Sequence, residues 1–454
     1  MKADILIIGA GPGGYETALA AARRGKNVIL FNGDKLGGTC LNEGCIPTKC
    51  LCRNAELISL FKEGEKFGID DFTFSVDYNK IISRKKEVVE TLRQGVDTLL
   101  NQAKVTVVNA KAKFKDAKTL IADGIEYQGD RIIIATGSAS KSLPITGHDL
   151  KCVMDSSAIL SLEYVPATLT IIGGGVIGME FASIFSQLGS KVTVIEFMKN
   201  ILPTFDSDIS KRLKQILSKK GINIITGATA KEIRQNEFYE VEVIYETKGK
   251  EAMVVSSDLL MAVGRKPNVE YLDLEKAGVN YSEKGISVDD FMQTNVPGIY
   301  AIGDVNGRMM LAHAATAQGE RALNVIEGKS DKIRFDLLPG AVFTVPECGM
   351  VGLTEDQCKE RGLDVVIGTS FFRANGKALA MGEADGICKL IFSKDDHKLI
   401  GAHIMGAEAA DLAQQCADLM NYESKLEEIK EIIFSHPTLS EVISAAAGAA
   451  KIGK

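Results

Sequence analysis

Cys40 and Cys45 stand five positions apart in the stretch Gly37-Gly38-Thr39-Cys40-Leu41-Asn42-Glu43-Gly44-Cys45-Ile46-Pro47-Thr48-Lys49. At that spacing two cysteines can lie on adjacent turns of one helix, close enough for a disulfide if the backbone relaxes. A thiolate at a helix N-terminus is favoured by the aligned peptide dipoles. Lys49, four residues past Cys45, would share its face and add to the effect. Taken alone, such a pair in an intracellular protein is more often two small apolar residues. The chain also offers a proton carrier. His436-Pro437-Thr438-Leu439-Ser440-Glu441 places a carboxylate where it can fix a histidine tautomer and raise its basicity. The same six residues read as a helix start, with Thr438 as N-cap and Glu441 completing a capping box. The two readings are compatible.

Two repeated units must position these groups. The apolar run Asp4 to Ile8 leads into Gly9-x-Gly11-x-x-Gly14, an alanine-rich helix from Tyr15 to Arg24, and a strand from Asn27 to Phe31. Strand, glycine turn, helix and strand in that order form a dinucleotide-binding unit, in which the glycines let a pyrophosphate approach the helix N-terminus. The order recurs in Leu169 to Ile172, Gly173-x-Gly175-x-x-Gly178, a helix from Met179 to Leu188, and Val192 to Ile195. Two units predict two nucleotides. Glu196, at the end of the later unit, can accept hydrogen bonds from both hydroxyls of a ribose and would repel a 2′-phosphate, so NAD(H) is favoured there over NADP(H). Lys199 lies nearby. The matching position in the earlier unit is Asn32, which can accept one hydrogen bond but carries no charge.

Between and after these units come a charged helix from about Tyr78 to Ala103 and a β-rich run ending in Ala135-Thr136-Gly137-Ser138. Strands then lead to Gly264-Arg265-Lys266-Pro267-Asn268, followed by the strand before Ile302-Gly303-Asp304 and a helix from Ala312 to Ile326. The section from about Ile333 reads as strands followed by helices, a separate α+β layer. Four segments result: 1–141, 142–266, 267–332 completing the first, and 333–454.

The 454 residues suffice for about three domains, and 45% hydrophobic residues can fill their cores. A net charge of −6 argues against nucleic acid or an anionic membrane as the main partner. No apolar run reaches the ~20 residues of a membrane helix. The opening Met1-Lys2-Ala3-Asp4 stops too soon in glycines to be a signal peptide and reads as the first strand. Nine scattered cysteines are no secreted disulfide framework and point to the cytoplasm. No zinc-type pattern is present, and no metal is expected.

Together these motifs resemble the flavoprotein disulfide reductases over nearly the whole chain, and within them the branch that oxidises dihydrolipoamide. The resemblance implies an α/β fold with two Rossmann-like domains, for FAD and NAD, and a C-terminal α+β dimerisation domain. It implies FAD on Gly9, Gly11 and Gly14, with Asp304 on the ribityl-phosphate portion and Asn32 at the adenosine ribose position, where it replaces the acidic residue of the family pattern. Thr136, Gly137, Gly264 and Ala312 complete the cofactor-side positions, and Gly173, Gly175, Gly178 and Glu196 hold NAD. Cys45 would face the flavin, Cys40 would exchange with substrate, and Lys49 would pair with Glu180. His436 and Glu441 would come from the other subunit of a homodimer.

The tail Ala449 to Lys454 lacks the cysteine pair expected of mercuric reductases and large thioredoxin reductases, and two active cysteines set the chain apart from single-cysteine relatives. With no lipoyl-bearing segment ahead of Met1, the expected partners are lipoyl domains of a 2-oxo acid dehydrogenase, acetoin or glycine-cleavage complex. The competing expectations are a reductase of another small disulfide and a non-catalytic nucleotide-bound subunit. Glu43 inside the redox loop, and Cys50 and Cys52 beyond it, depart from the family pattern or have no assigned role.

Overall fold

The computed structural model describes residues 1–71 and 73–451 and divides into two compact units. Residues 452–454 of the cysteine-free tail lie outside the described residues.

The first unit comprises Met1–Cys50, Asn79–Lys141 and Gly264–Ile333. Its strand Lys2–Ile8 is continuously apolar from Ile5 to Ile8, and those four residues are at most 2% exposed. Such a run belongs in a parallel sheet covered on both faces. It lies between Val28–Phe31 and Ile125–Ile134, parallel to both. Thr106–Val108 extends one side and Ile299–Ala301 pairs with Ile125–Ile134, in a seven-stranded sheet. The chain leaves Lys2–Ile8 toward one neighbour and later returns on its other side. The carboxyl end of this strand is therefore a topological switch point, where open α/β sheets bind ligands.

The second unit comprises Leu51–Tyr78, Ser142–Val263 and Arg334–Lys454. One part is a parallel five-stranded sheet with Thr168–Ile172 between Lys191–Glu196 and Asp258–Met261. A three-stranded antiparallel sheet, Ala228–Gln235 to Ser256, adjoins it in sequence. The C-terminal part is an antiparallel five-stranded sheet covered by Ala409–Asn421 and Glu441–Ala449. Those helices approach closely because Gly349 and Gly368 face them. A Cβ there would lie 2.1 Å from the Ala409 carbonyl oxygen and 2.0 Å from that of Ala446.

Three sequence expectations shift. Gly264 to Lys266 lie with the first unit, because Arg265–Pro267 pairs antiparallel with Ser138–Ser140. Residues 51–78 lie with the second unit although the sequence reading kept them in the segment 1–141. In the last section, helices Glu355–Glu360 and Gly376–Ala380 alternate with strands instead of following them.

A buried ion cluster ties the C-terminal sheet to helix Ser207–Lys219. Lys389, 3% exposed, reaches Asp206 (3.0 Å), Asp208 (2.8 Å) and Glu355 (2.7 Å). Opposite it, His403 is fully buried and its Nε2 donates to the Leu353 carbonyl at 2.9 Å. Burial alone would raise the Asp206 carboxyl, but the Glu355 N–H and Lys389 hold it below its ordinary value. Burial would lower Lys389, and the three carboxylates hold it well above its ordinary value.

The depressed carboxylate contributes stability above its unfolded value near pH 4 and loses it as acid protonates it. The raised ammonium contributes below about pH 10.5 and loses that only in stronger alkali. Lys389→Met strands the buried Asp206 carboxylate and should cost about 3–5 kcal/mol. Its pKa then rises above the unfolded one, so the variant should gain stability from pH 8 to pH 5 while the parent does not. Thermal unfolding at the two pH values reads this directly, and parallel curves for both proteins would show that the cluster carries no such charge.

Candidate active site

The two cysteines do not share one helix. Cys40 lies in Gly38–Glu43, and Cys45 is the first residue of Cys45–Lys62, with Gly44 between them. A Cβ on Gly44 would stand 2.9 Å from the Thr39 carbonyl oxygen and 3.2 Å from Cys40 Cα, so the break is tight. Thr48 closes it by donating Oγ1 to the Gly44 carbonyl at 2.6 Å. The interruption puts Cys45 at a helix N-terminus, where the dipole favours a thiolate.

Cys45 is exposed and Cys40 half-buried. The Cys40 thiol is held far above its ordinary value, first by its hydrogen bond to Cys45, then by burial and by negative charge on Cys45; Lys49 pulls the other way. The two thiols therefore titrate as a coupled pair, with Cys40 hydrogen-bonded to Cys45. Glu43, the unusual acid in this loop, pairs with Lys35 at 2.5 Å.

Backbone contact seats the loop on the first glycine turn. The Gly37 N–H donates to the Ala10 carbonyl at 2.9 Å. A Cβ on Gly38 would meet Gly11 Cα at 2.6 Å. Within the turn, Gly9 has φ +107°, and a Cβ on Gly14 would lie 1.8 Å from the Gly9 carbonyl oxygen. Gly11 precedes helix Pro12–Arg23 and no side chain caps it, so its first-turn N–H groups remain for an anion. This cradle fits the pyrophosphate of FAD. Asn32 follows Val28–Phe31, and its Nδ2 donates to Asn109 Oδ1 at 2.9 Å, leaving its own oxygen as the acceptor.

Residues 135–138 and 264–268 interlock. Thr136 Oγ1 donates to the Asn268 carbonyl at 2.8 Å, Asn268 Nδ2 returns to the Thr136 carbonyl at 3.1 Å, and Asn268 N–H reaches the Gly137 carbonyl at 3.0 Å. Asp304 accepts a 2.5 Å hydrogen bond from Ser138 Oγ. Ala312 opens the helix Ala312–Ile326, and buried Gln318 on that helix accepts from the Gly303 N–H at 2.7 Å. Gly264 has φ +112° and its carbonyl accepts from Lys141 N–H.

Sequence reasoning gave Ser138, Arg265, Asn268 and Gln318 no role. The first three stood in quoted motifs, and a glutamine in an alanine-rich helix was the only signal for the fourth.

The second unit repeats the turn nearly atom for atom. Gly173 has φ +113°, Gly175 precedes helix Val176–Leu188, and a Cβ on Gly178 would lie 1.9 Å from the Gly173 carbonyl oxygen. Glu196 is buried, with one carboxylate oxygen accepting from Gly174 N–H (2.5 Å) and the other from Met198 N–H (2.6 Å). Those bonds aim the carboxylate and leave further lone pairs for ribose hydroxyls. Glu196→Ala with Met198→Arg should move the NADH/NADPH preference toward NADPH by roughly tenfold or more, from lost charge-assisted bonds and a gained guanidinium. Steady-state kinetics with both nucleotides would show it. An unchanged ratio would mean that Glu196 does not meet the ribose.

His436 Nδ1 and Glu441 Oε1 are 2.9 Å apart, and Glu441 Oε2 accepts from the Thr438 N–H at 2.9 Å. The capping-box expectation holds only in that second bond. Ser440, not Thr438, is the N-cap of Glu441–Ala449, and Thr438 Oγ1 donates instead to the Ser435 carbonyl at 2.8 Å. Glu441, the first residue of that helix, bonds to both His436 and the Thr438 N–H. His436 is 77% exposed. These bonds hold the Glu441 carboxyl below its ordinary value, the Thr438 N–H first and His436 second. Glu180 is buried in the second unit, where its carboxylate accepts from Phe343 N–H at 3.0 Å; Lys49 belongs to the first unit.

Such a dithiol beside a dinucleotide turn, with a second dinucleotide turn further along the chain, defines a pyridine-nucleotide-linked thiol oxidoreductase. Residues 3–319 match the family described as pyridine nucleotide-disulphide oxidoreductase, and residues 338–447 match its dimerisation domain. The chain belongs to this family.

It is similar to the dihydrolipoyl dehydrogenase of Bacillus subtilis, 39% identical over 97% of both chains. The mitochondrial dihydrolipoyl dehydrogenase of Pisum sativum is 36% identical over 98% of this chain and 90% of that one. Among solved structures, the HOCl-induced flavoprotein disulfide reductase RclA from Escherichia coli covers 99% of this chain and 100% of its own. Its TM-score is 0.88 at 30% identity. Among the described residues no helix is long and apolar enough to cross a membrane.

Proposed function

We propose that this chain is an NAD-linked oxidase of protein-bound dihydrolipoamide, working as a homodimer in the cytoplasm. The hydrogen-bonded Cys40–Cys45 pair, seated by Gly38 on the first glycine turn, carries the reading. In the forward direction His436 Nε2 takes a proton from one substrate thiol, with Glu441 fixing the ring through Nδ1. The substrate thiolate attacks Cys40 of the Cys40–Cys45 disulfide, and Cys45 leaves as a thiolate. The second substrate sulfur, losing its proton, displaces Cys40 and closes lipoamide; a proton returns to Cys40, which hydrogen-bonds to Cys45. FAD supplies, when bound, the acceptance of this electron pair and its delivery as hydride to NAD⁺. Glycines 9, 11 and 14, Asn32 and Asp304 hold it, and glycines 173, 175 and 178 with Glu196 hold NAD.

The substrate is carried by lipoyl domains of a 2-oxo acid dehydrogenase, acetoin or glycine-cleavage complex. Identity of 36–39% to dihydrolipoyl dehydrogenases over almost the full length supports this choice. The likeness to a disulfide reductase induced by HOCl supports a second reading, reduction of another small disulfide. Anaerobic reduction of the purified protein with NADH, then addition of lipoamide or oxidised glutathione, separates them. Reoxidation by lipoamide alone is expected. Reoxidation by glutathione alone would move the chain to the second reading, and a protein that binds no FAD would end both.

A further inference from the structure

Asp304, Ser138 and Arg265 form a one-way hydrogen-bond relay in the first unit. Arg265 Nε donates to Ser138 Oγ at 2.7 Å, and a second guanidinium nitrogen, NH2, donates to the Ser138 carbonyl at 2.7 Å. Ser138 Oγ stands 2.5 Å from Asp304 Oδ2, while Arg265 Nε itself is 3.9 Å from that oxygen. A guanidinium has no acceptor, so the Ser138 hydroxyl must accept from Arg265 and turn its own hydrogen toward Asp304. A hydroxyl left to itself rotates; this one cannot. Ser138 is 5% exposed, and the Arg265 and Asp304 side chains are only 17% and 23% exposed, so water competes weakly for these bonds.

We propose that Arg265 and Ser138 are positioning residues for the flavin. They pin one oxygen of the Asp304 carboxylate so that the other presents a fixed acceptor to a cofactor hydroxyl. The backbone favours the same purpose. Arg265–Pro267 pairs with Ser138–Ser140, and Asp304 sits in the short 3-10 turn Gly303–Asn306 after strand Ile299–Ala301. Three chain segments that are remote in sequence thus converge on one carboxylate. Asp304 sits in a single-turn element whose own backbone constrains its side chain little, so it needs an external clamp if it is to hold one rotamer. The Arg265–Ser138 pair is that clamp.

This inference rests on the reading that Asp304 meets the ribityl-phosphate portion of FAD. The test is titration of apoprotein with FAD by flavin fluorescence, on the full-length protein and the variants Ser138→Ala, Arg265→Met, Asp304→Asn and Ser138→Ala/Asp304→Asn. Ser138→Ala and Arg265→Met should each weaken FAD binding roughly 10- to 100-fold, the range by which losing an orienting partner weakens metal sites. Apoprotein melting temperature is followed in parallel as the check for folding. In the double variant, Ser138→Ala should add little to Asp304→Asn, because the serine acts only through the carboxylate.

Additive losses would overturn the relay and leave Ser138 a packing residue. Ser138→Ala and Arg265→Met with full affinity, beside an Asp304→Asn that loses it, would also overturn it while sparing the reading of Asp304. Full affinity in Asp304→Asn would instead remove that reading itself. Should Arg265→Met not fold, Arg265→Lys keeps the charge but loses the two-pronged geometry and should still weaken FAD binding.

Discussion

Cys40→Ser is expected to lower dihydrolipoamide turnover at least about 10³-fold while leaving FAD bound. Serine can form no disulfide, and its oxygen is a poor leaving group, so exchange stops at its first step. The fold should tolerate the change. Helix Gly38–Glu43 is placed by backbone contacts of Gly37 and Gly38 with Ala10 and Gly11, and by Asn42 Nδ2 donating to the Leu36 and Gly38 carbonyls, not by the Cys40 sulfur. The serine hydroxyl can still donate to Cys45, which should remain reactive. Three measurements on one sample decide the matter: NAD⁺ reduction by dihydrolipoamide, flavin-to-protein ratio, and the count of rapidly titrating thiols. Ordinary turnover in this variant would remove Cys40 from the chemistry altogether.

His436→Gln should reduce turnover by about 10²- to 10⁴-fold, the range for removing a positioned proton carrier. Glutamine can keep a hydrogen bond to Glu441 but cannot take a proton near neutral pH. Glu441→Gln should cost less, because the ring remains and only its orientation and basicity suffer. The sharper test mixes Cys40→Ser and His436→Gln subunits. If each site joins Cys40 of one subunit to His436 of its partner, every mixed dimer holds one intact site and one doubly defective site. Random reassembly makes half the dimers mixed, so roughly a quarter of parental activity should return. With both residues drawn from one subunit, no mixed dimer has an intact site and nothing returns. The 77% exposure of His436 is what the shared arrangement requires.

Much of this was legible in residue order. Periodicity and glycine placement located the strands Lys2–Ile8 and Thr168–Ile172 and both turns, because a short apolar run stopping at glycines has few other structures open to it. The helix Ala312–Ile326 was placed to the residue. Contacts were legible where they join near neighbours, as in the hydrogen bonds of Cys40 with Cys45 and of His436 with Glu441. Local spacing misled where a single glycine decides the geometry: Gly44 splits the expected cysteine helix in two. It misled again at the last helix, where Ser440 and not Thr438 is the N-cap and Glu441 accepts from the Thr438 N–H.

The sequence by itself determined the two dinucleotide turns, the dithiol, and the acid that supports the histidine. These are encoded within windows of a dozen residues, over which backbone sterics and helix geometry act directly. Only the tertiary structure decided that Gly264 to Lys266 join the first unit, that Lys389 gathers three carboxylates, and that Arg265 and Ser138 converge on Asp304. Each of these depends on strand pairing or side-chain reach across more than thirty residues of chain. Partners at such distances are chosen by the global arrangement of sheets and by the need to satisfy buried polar groups, and no local pattern records that choice.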